Sequence, residues 1–412
     1  MSNSETFIHP RRVLFPLGLG TALSLMGDAT LYAVLPTHTA EAGIALSSVG
    51  IILGVNRAVR LFLNGPAGLA YDRWPRRRLF VPALFIGALS TAVYAATRGF
   101  WPMLAGRLLW GLAWSGIWVG GATVILDVTT AQDRGRWTGL YQTWFFLGAA
   151  LGAFAGGLLT DWLGYGATMW LGAAVTALGG LIALILLPET RSIRPDTANV
   201  RCCGPSVEET RPRLRANRGL WVAASLQGIN RFVTAGVLAA TMGLLAQDYL
   251  YRNGGSHQSA SLAIGVATLT GALLAGRTLL SMVAAPLAGT MSDWLGSRWR
   301  VAAWGLAIGI ISMALVAWGA PAAILTGISL GAVAGGSVQA LATALTGDLV
   351  SQAQRGRAIG LLHTAGDLGS AIGPPTAYIL IPWIGLRGVY LLCAGLFTAG
   401  LTLALLFRLR AR

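Results

Sequence analysis

The sequence contains no lysine, and only 11% of its 412 residues are charged, whereas 55% are apolar. This composition leaves too little polar surface to cover a water-soluble globule, which excludes a soluble fold. Cysteine is scarce: Cys202 and Cys203 are adjacent and Cys393 stands alone, a pattern that provides neither a disulfide framework nor a metal site. The loops carry no phosphate-binding motif and no pair of a nucleophile and a base. We therefore expect no enzymatic activity, no metal and no cofactor.

The sequence instead contains long apolar runs. Twelve of them recur along the chain, each about 20 residues long, and a helix of that length crosses a hydrocarbon core of ~30 Å. The runs predict an all-α membrane protein with twelve transmembrane helices. They lie at residues 13–35, 47–69, 79–97, 101–126, 137–159, 167–187, 219–244, 262–288, 301–319, 321–346, 358–380 and 388–407.

All 30 basic residues are arginines, and they concentrate in alternate loops. The formal charge of +15 does not indicate nucleic acid binding, because that function requires a basic face on a soluble domain. The positive-inside rule places the arginine-rich loops, and both termini with them, in the cytoplasm, which requires an even number of spans. We expect a multi-pass inner-membrane protein whose first helix is retained, since no small-residue cleavage site follows a short apolar core.

A polar stretch at residues 188–218 divides six spans from six. It contains seven arginines and too little apolar area to fold alone, so we expect a basic cytoplasmic linker. The parts on either side, residues 1–187 and 219–412, are each predicted to form a six-helix bundle.

The two halves share a pattern at a constant offset. Gly68 and Gly289 differ by 221 residues, and the same offset relates Asp127 to Asp348. A longer series of such matches indicates a duplication. Six spans per repeat keep the second half in the orientation of the first, so the repeats are related by an axis along the membrane normal. This arrangement predicts two pseudo-symmetric bundles around a central cavity.

The loop after the second run reads GLAYDRWPRRR, from Gly68 to Arg78. It resembles the signature of the major facilitator superfamily, with Pro75 where that family usually has Gly. The small Gly68 would permit close helix approach, and carboxylates beside guanidiniums form bidentate pairs that break and re-form. The alternative is that these charges only set the topology. The resemblance implies a cytoplasmic gate formed by Gly68, Asp72, Arg73, Arg76, Asp127, Arg136, Asp293 and Asp348.

The fifth run has a glycine spacing that is similar to that of the drug:proton antiporters of this superfamily. Ala153 stands where that type has the Pro of a Gly-Pro step, whereas the second copy reads Gly373-Pro374-Pro375. The glycines also permit close packing between helices, whatever their role in transport. The candidate packing residues are Gly139, Gly148, Gly152, Gly156, Gly157, Gly373 and Pro374.

Ionisable residues within the runs each cost ~3 kcal/mol or more near the bilayer centre, so each is a candidate functional group. Asp28 lies eight residues before Pro36, and Arg107 lies six residues after Trp101. Helical rise therefore puts both at ~9–12 Å from the same surface. In the family that the chain resembles, the first and fourth spans both line the cavity, which implies that Asp28 pairs with Arg107 and exchanges a proton during transport. Burial disfavours a charged carboxylate and a neighbouring guanidinium favours it, so a change in their surroundings would load or release the proton. A permanent structural ion pair is the alternative.

A second candidate for proton coupling lies in the eleventh run. His363 and Asp367 are one helical turn apart and share a face. Histidine titrates near neutral pH, so the two residues are a candidate proton relay. A hydrogen bond between helices is the alternative reading.

Five arginines within the runs face only two acids. A site for lipophilic cations would need the opposite excess, so this balance favours a substrate with a carboxylate or phosphate, which arginine binds in a bidentate manner. The alternative for these arginines is a bond to helix-end carbonyls. Aromatic rings in the fourth and fifth runs have a spacing that suits stacking on an amphipathic ligand or packing against neighbouring helices. The candidate substrate-binding residues are Arg57, Arg60, Arg231, Asn230, Gln227, Arg277, Trp114, Trp118, Tyr141 and Trp144.

Together these patterns predict a secondary transporter that works by alternating access, with proton-coupled efflux of amphipathic small molecules as the leading hypothesis. A carrier or exchanger for an organic anion or a lipid-like zwitterion is the rival within transport. A transport-inactive sensor built on the same fold is the rival from another class. We expect a small-molecule substrate, protons and the lipid bilayer as partners, no nucleic acid, and a monomer.

Overall fold

The computed structural model describes residues 10–129, 133–190, 217–254, 265–350 and 354–410. All regular structure in these residues is helical. Eleven helices are long and apolar enough to cross a membrane, and the last of them is two helices that meet at Gly385, where φ is 66° and ψ is 173°. The prediction of twelve spans in an all-α membrane protein is thereby confirmed. Most of the predicted linker at 188–218 lies outside the described residues.

The twelve spans are numbered in chain order. Between α1 and α2 the chain forms a one-turn helix, Thr39–Ala42. Span α7 contains a π-helical segment, Phe232–Leu238, between two α-helical parts. The bounds are α1 Pro10–Val34, α2 Leu46–Arg73, α3 Arg76–Ala96, α4 Phe100–Asp127, α5 Arg134–Leu163, α6 Tyr165–Leu186, α7 Arg218–Arg231 with Phe232–Leu238 and Ala239–Gly254, α8 Val266–Trp294, α9 Arg298–Trp318, α10 Pro321–Leu349, and α11 with α12 in Arg355–Arg410.

Both described chain ends, Pro10 and Arg410, lie on one side of the molecule, because twelve crossings return the chain to its starting side. We call this the terminal side and the opposite one the far side. Several tryptophans at helix ends are largely exposed, as expected for rings at the two membrane interfaces. They are Trp101 with 75% of its surface exposed, Trp162 with 75%, Trp294 with 87%, Trp318 with 71% and Trp383 with 84%.

Glycines of α5 bring this helix against α1 within the first bundle. A Cβ atom added at Gly148 would meet the backbone of Ala22, and one added at Gly156 would meet the side chain of Thr30. Thr30 Oγ1 also donates a hydrogen bond of 3.0 Å to the carbonyl oxygen of Gly152. The small residues thus permit backbone contact between two spans, which is how helices associate where lipid removes the hydrophobic driving force.

The second bundle contains the equivalent helix pair, α7 with α11. A Cβ atom added at Gly373 would meet the Phe232 carbonyl oxygen and the Cα atom of Gly236, so the backbones of the two helices touch. Asn217 caps the start of α7 by accepting a hydrogen bond from the Leu220 amide, and its Nδ2 donates to the Leu349 carbonyl at 2.8 Å. The hydrogen bond from Asn217 thus connects the start of α7 to the end of α10.

The two bundles meet on the far side. Here α5 contacts α8 and α2 contacts α11: a Cβ atom added at Gly157 would meet the Ala267 backbone, and one added at Gly50 would meet the Pro374 carbonyl. One cluster of buried apolar side chains extends through this region and draws members from both halves of the chain. The far side of the protein is therefore closed.

On the terminal side the same four helices stand apart. A Cβ atom added at Gly68 of α2, Gly139 of α5, Gly289 of α8 or Gly360 of α11 would meet nothing within 4 Å. The expectation that Gly68 and Gly139 bring helices into close contact is therefore not met in this conformation. Because the bundles touch on one side and separate on the other, the space between them opens to the terminal side.

Candidate functional site

A central cavity of about 270 Å³ lies between the bundles, near the lower end of the range for small-molecule sites, ~300–1,000 Å³. Both bundles contribute to its lining. Residues from the first bundle are Leu25, Asp28, Ala29, Tyr32, Asn56, Arg57, Arg60, Trp110, Trp114, Trp118, Gln142, Phe145, Phe146, Ala149 and Ala153. Residues from the second are Gln227, Arg231, Ala239, Leu274, Thr278, Gln339, His363, Gly366 and Asp367.

Asp28 and Arg107 form an ion pair at the cavity wall. Arg107 Nη1 donates to Asp28 Oδ1, and Arg107 Nε donates to the Ile52 carbonyl at 3.1 Å. The Arg107 side chain has no exposed surface, whereas 16% of the Asp28 side chain is exposed and lines the cavity. The Asp28 carboxylate thus lies between the cavity and the buried Arg107 guanidinium. It supplies the negative charge that a buried cation requires.

Arg60 connects the two bundles. Its Nη2 donates to both oxygens of Asp367, at 2.8 and 3.1 Å, so a residue of α2 is bound to a residue of α11. Asp367 was expected to interact with His363, but its carboxylate accepts these bonds from Arg60 instead. His363 lines the same cavity with an exposed ring. A carboxylate attracts the permanently charged guanidinium more strongly than a neutral imidazole, which explains the preference.

Arg57, one turn before Arg60, also bonds across the bundle boundary. Its Nη1 donates to the Ala235 carbonyl at 2.6 Å and to the Ser370 carbonyl at 3.2 Å. Ala235 lies inside the π-helical segment of α7, where the altered backbone pairing is typical of functional sites. The guanidinium also lies over the Tyr32 ring, 5.3 Å from its centroid. Arg57 therefore helps to close the cavity, in addition to lining it.

Three stacked indole rings form part of the cavity wall. Trp110, Trp114 and Trp118 lie four residues apart on α4, and their rings stack, with centroids 5.8 and 5.7 Å apart and interplanar angles of 27° and 20°. Phe145 of α5 packs beside Trp118 at 5.2 Å between centroids. All four rings line the cavity, but Trp110 and Trp114 are only 2% and 5% exposed, so the half-buried Trp118 and Phe145 are the apolar rings that a ligand can contact best.

Tyr141 and Trp144, which the sequence suggested as ligand residues, do not line the cavity. Tyr141 is buried, and its hydroxyl shares a hydrogen bond of 3.1 Å with Thr21 Oγ1. Trp144 packs edge-on against Phe15 with ring centroids 6.0 Å apart. Both rings join α5 to α1, the alternative that the sequence left open.

Two polar candidates are also placed elsewhere. Asn230 is fully buried and donates from Nδ2 to the Gly335 carbonyl of α10 at 3.0 Å. Arg277 is absent from the cavity lining, whereas the next residue, Thr278, belongs to it, because one residue turns a helix by ~100°. Gln227 and Arg231, one turn apart on α7, do line the cavity. The sequence offered no signal for Asn56, Gln142 or Gln339, which become cavity residues only through packing.

The predicted gate charges lie at the terminal side, within each bundle. Arg76 and Asp127 form a buried pair at 2.8 Å, and Thr190 Oγ1 donates to the same carboxylate at 3.2 Å. In the second half Arg298 binds Asp348 at 2.8 Å and lies 3.8 Å from Asp293.

The other gate candidates lie at the terminal-side ends of α2 and α5. Asp72 and Arg73 are exposed at the end of α2, and Gly68, one turn earlier, is half-buried. The guanidinium of Arg136 lies over the Trp137 ring, 5.8 Å from its centroid. These positions are on the side where the helices separate.

The model of the Major Facilitator Superfamily matches residues 17–281 and 220–412 of this chain. The tetracycline resistance protein, class E, of Escherichia coli is 26% identical over 374 residues, which cover 85% of this chain and 84% of that protein. The probable 4-methylmuconolactone transporter of Cupriavidus pinatubonensis is 30% identical over 144 residues, or 35% of this chain and 34% of that protein. Citrate exporter 1 of Aspergillus niger is 25% identical over 183 residues, which cover 44% of this chain and 34% of that protein. The chain thus matches about a third of the length of the last two relatives.

Solved transporter structures share the fold. A bacterial homologue of the human lysosomal transporter Spinster, in an inward-facing and occupied conformation, superimposes with a TM-score of 0.76 at 14% identity and covers 95% of each chain. The human organic anion transporter MFSD10 gives a TM-score of 0.66 at 19% identity and covers 96% of this chain and 99% of that one.

Proposed function

Because the chain belongs to the Major Facilitator Superfamily and is a multi-pass membrane transporter rather than an enzyme, we propose that it exports amphipathic small molecules by proton-coupled alternating access. The observation that supports the proposal is the ion pair between the partly exposed carboxylate of Asp28 and the buried guanidinium of Arg107. Similarity to tetracycline resistance proteins supports efflux. In this proposal the terminal side faces the cytoplasm across the inner membrane.

The proposed proton step depends on the different solvent exposure of the two side chains of the ion pair, Asp28 and Arg107. Asp28 lines the cavity and can take up a proton from it, whereas Arg107 has no path to water. Protonation of Asp28 removes the charge that compensates a buried cation, and an uncompensated buried cation is strongly unfavourable. The bundles then rearrange to a state that solvates or re-pairs Arg107, and Asp28 releases its proton to the other side.

The conformational step exchanges one set of contacts for another. On the far side the α5–α8 and α2–α11 contacts open. On the terminal side Gly68 and Gly139 approach the opposite bundle, where their missing side chains allow close contact. Residues 1–187 and 219–412 move as the two bodies, with 188–218 as the linker. The gate residues Asp72, Arg73 and Arg136 act in this closed terminal side, and Asp367 with His363 offers a second protonatable site.

An Asp28→Asn variant tests the coupling. In proteoliposomes with a pH-sensitive dye inside, tetracycline or naphthalene-2-carboxylate supplied on one side should drive proton movement through the wild type and none through the variant. Binding of the same probes, measured as a rise in melting temperature, should persist because the amide keeps the shape of the side chain. The matched control is Glu41→Gln, which neutralises an exposed carboxylate in the loop after α1. Wild-type proton movement by Asp28→Asn would refute the coupling role.

The second candidate is a carrier or exchanger for an organic anion or a lipid-like zwitterion. The observation that favours it is the charge of the cavity: Arg57, Arg60 and Arg231 line it together with only two carboxylates. Probe-driven movement that persists without a pH gradient, and that requires a second anion on the opposite side, would distinguish an exchanger from a proton-coupled exporter.

A further inference from the structure

The polar contacts of the cavity leave one guanidinium free. Within the described part of the chain, Arg107 is bound to Asp28, Arg60 to Asp367, and Arg57 to two backbone carbonyls. Arg231 lines the cavity, and the described residues provide it with neither an ion pair nor a hydrogen bond. Arg277 has no such contact among the described residues either, but it does not line the cavity, so Arg231 is the unpaired arginine that a ligand in the cavity can reach.

The charges around Arg231 favour an anion. Its electrostatic neighbours include Arg57 and Arg60, and the nearby carboxylate of Asp367 is already bound by Arg60. A cationic ligand would find both cavity carboxylates occupied and three guanidiniums nearby. An anionic group would instead compensate a cation held away from bulk water, which removes part of the cost of its burial.

Arg231 lies beside Gly366 of α11 and Gln227 of α7. A Cβ atom added at Gly366 would lie 3.3 Å from Arg231 Cγ and 3.4 Å from Gln227 Nε2, so the glycine keeps this corner clear. Gln227 Oε1 is buried and has no hydrogen-bond partner in the structure. An amide oxygen needs a hydrogen-bond donor, so this atom would pair with a donor group of a ligand and not with its anionic group.

The cavity lining thus combines cationic and polar groups of α2, α7 and α11 with the stacked indoles of α4. We infer that the substrate is a flat amphipathic anion whose carboxylate or phosphate binds Arg231 and whose apolar ring lies against Trp114 and Trp118. This inference rests on the proposed function, since it requires that the substrate enters this cavity.

Binding of matched naphthalene probes to the purified protein tests the inference. The probes are naphthalene-2-carboxylate, 1-naphthyl phosphate, the neutral naphthalene-2-carboxamide and the cationic 2-naphthylmethylammonium, with affinities measured by calorimetry. The two anions should bind at least tenfold more tightly than the neutral and cationic probes, because arginine forms charge-assisted, bidentate bonds with such groups. Equal or tighter binding of the cation, or no binding of either anion by the folded protein, would overturn the inference.

Variants assign the roles of the residues. Arg231→Gln should weaken both anions about tenfold or more and leave the neutral probe unchanged, Arg231→Lys should restore part of the loss, and Trp118→Leu should weaken all four probes by a similar factor. The matched control is Arg387→Gln, an exposed arginine near the start of α12 outside the cavity. An equal loss of all four probes in Arg231→Gln would refute anion binding by this residue.

The two proposals can fail separately. If Asp28→Asn moves protons like the wild type while Arg231 still selects anions, proton coupling fails and the substrate class stands. If the cationic probe binds best but its transport still moves protons, the substrate class fails and the coupling stands.

Discussion

The far-side closure depends on a carboxylate of one bundle that caps a helix of the other. Asp161, in the last turn of α5, accepts hydrogen bonds from the amide of Thr268 at 2.7 Å and from Thr268 Oγ1 at 2.6 Å. Thr268 lies in the first turn of α8, whose N-cap is Gly265, a residue without a side chain to provide its own cap. Opening the far side breaks these bonds, so Asp161 should stabilise the closed far side.

The magnitude follows from helix capping. Removing an N-cap acceptor costs ~0.5–2 kcal/mol, and a negative charge near a helix N-terminus contributes ~0.3–1 kcal/mol. Asp161→Ala loses both contributions and should shift the conformational equilibrium toward the open far side by about 1–3 kcal/mol, or a factor of about 5–150. Asp161→Asn keeps an acceptor oxygen and loses only the charge, so its shift should be smaller, ~0.3–1 kcal/mol.

Distances between spin labels at positions 140 and 291 report this equilibrium. These residues lie at the terminal-side ends of α5 and α8, and their side chains are 41% and 38% exposed. In a cysteine-free background, Asp161→Ala should increase the population with the shorter distance, and Asp161→Asn should do so to a lesser degree. Glu41→Gln, another carboxylate on the far side, should leave the distribution unchanged.

Unchanged distances in Asp161→Ala would refute this reasoning, because they would mean that apolar packing alone holds the far side closed. The same conclusion would follow if Glu41→Gln shifted the distribution equally, since the effect would then reflect surface charge and not the cap.

Two stability predictions concern packing and the gate. Gly148→Val should lower the melting temperature, because the new side chain meets the Ala22 backbone and overpacking costs ~1–3 kcal/mol, whereas Gly139→Val should be neutral; equal melting temperatures for the two variants would contradict this account. Asp127→Asn should destabilise by ~3–5 kcal/mol because it leaves the buried Arg76 uncompensated, and the double variant with Arg76→Gln should recover most of the loss in thermal unfolding. A single variant as stable as the wild type would show that this pair contributes nothing.

Residues with one dominant physical preference were predictable from the sequence. An apolar run of 20 residues has few alternatives to a membrane helix, so most spans were found within a few residues of their ends. The seventh span is the exception, since it ends at Gly254, ten residues beyond the predicted end. Asp28 and Arg107 were paired on their depth and on the family resemblance, which places the first and fourth spans at the cavity. A buried carboxylate and a buried guanidinium each require a partner, and helical rise restricts which ones can meet. The cavity positions of Trp114 and Trp118 followed from their spacing on α4.

Assignments that depend on which way a helix faces were not predictable. Tyr141, Trp144 and Asn230 have the residue types of ligand groups, but rotation about the helix axis points them at neighbouring spans. Asp367 has a suitable histidine one turn away, yet it binds Arg60, more than 300 positions earlier in the chain. One sequence cannot rank such partners, because the choice depends on how close two distant helices approach.

The sequence by itself determined that this protein folds in a membrane, how many membrane helices it has and in which order, and that its two halves repeat one pattern. These properties follow from local hydrophobicity and from residue spacing along one chain. Only the tertiary structure decided that the cavity opens on the terminal side, that Arg57 and Arg60 bind across the bundles, and that Arg231 lines the cavity without a partner among the described residues. These features are set by the relative position of two bodies whose contacts differ little in energy between alternative arrangements, so no local pattern encodes them.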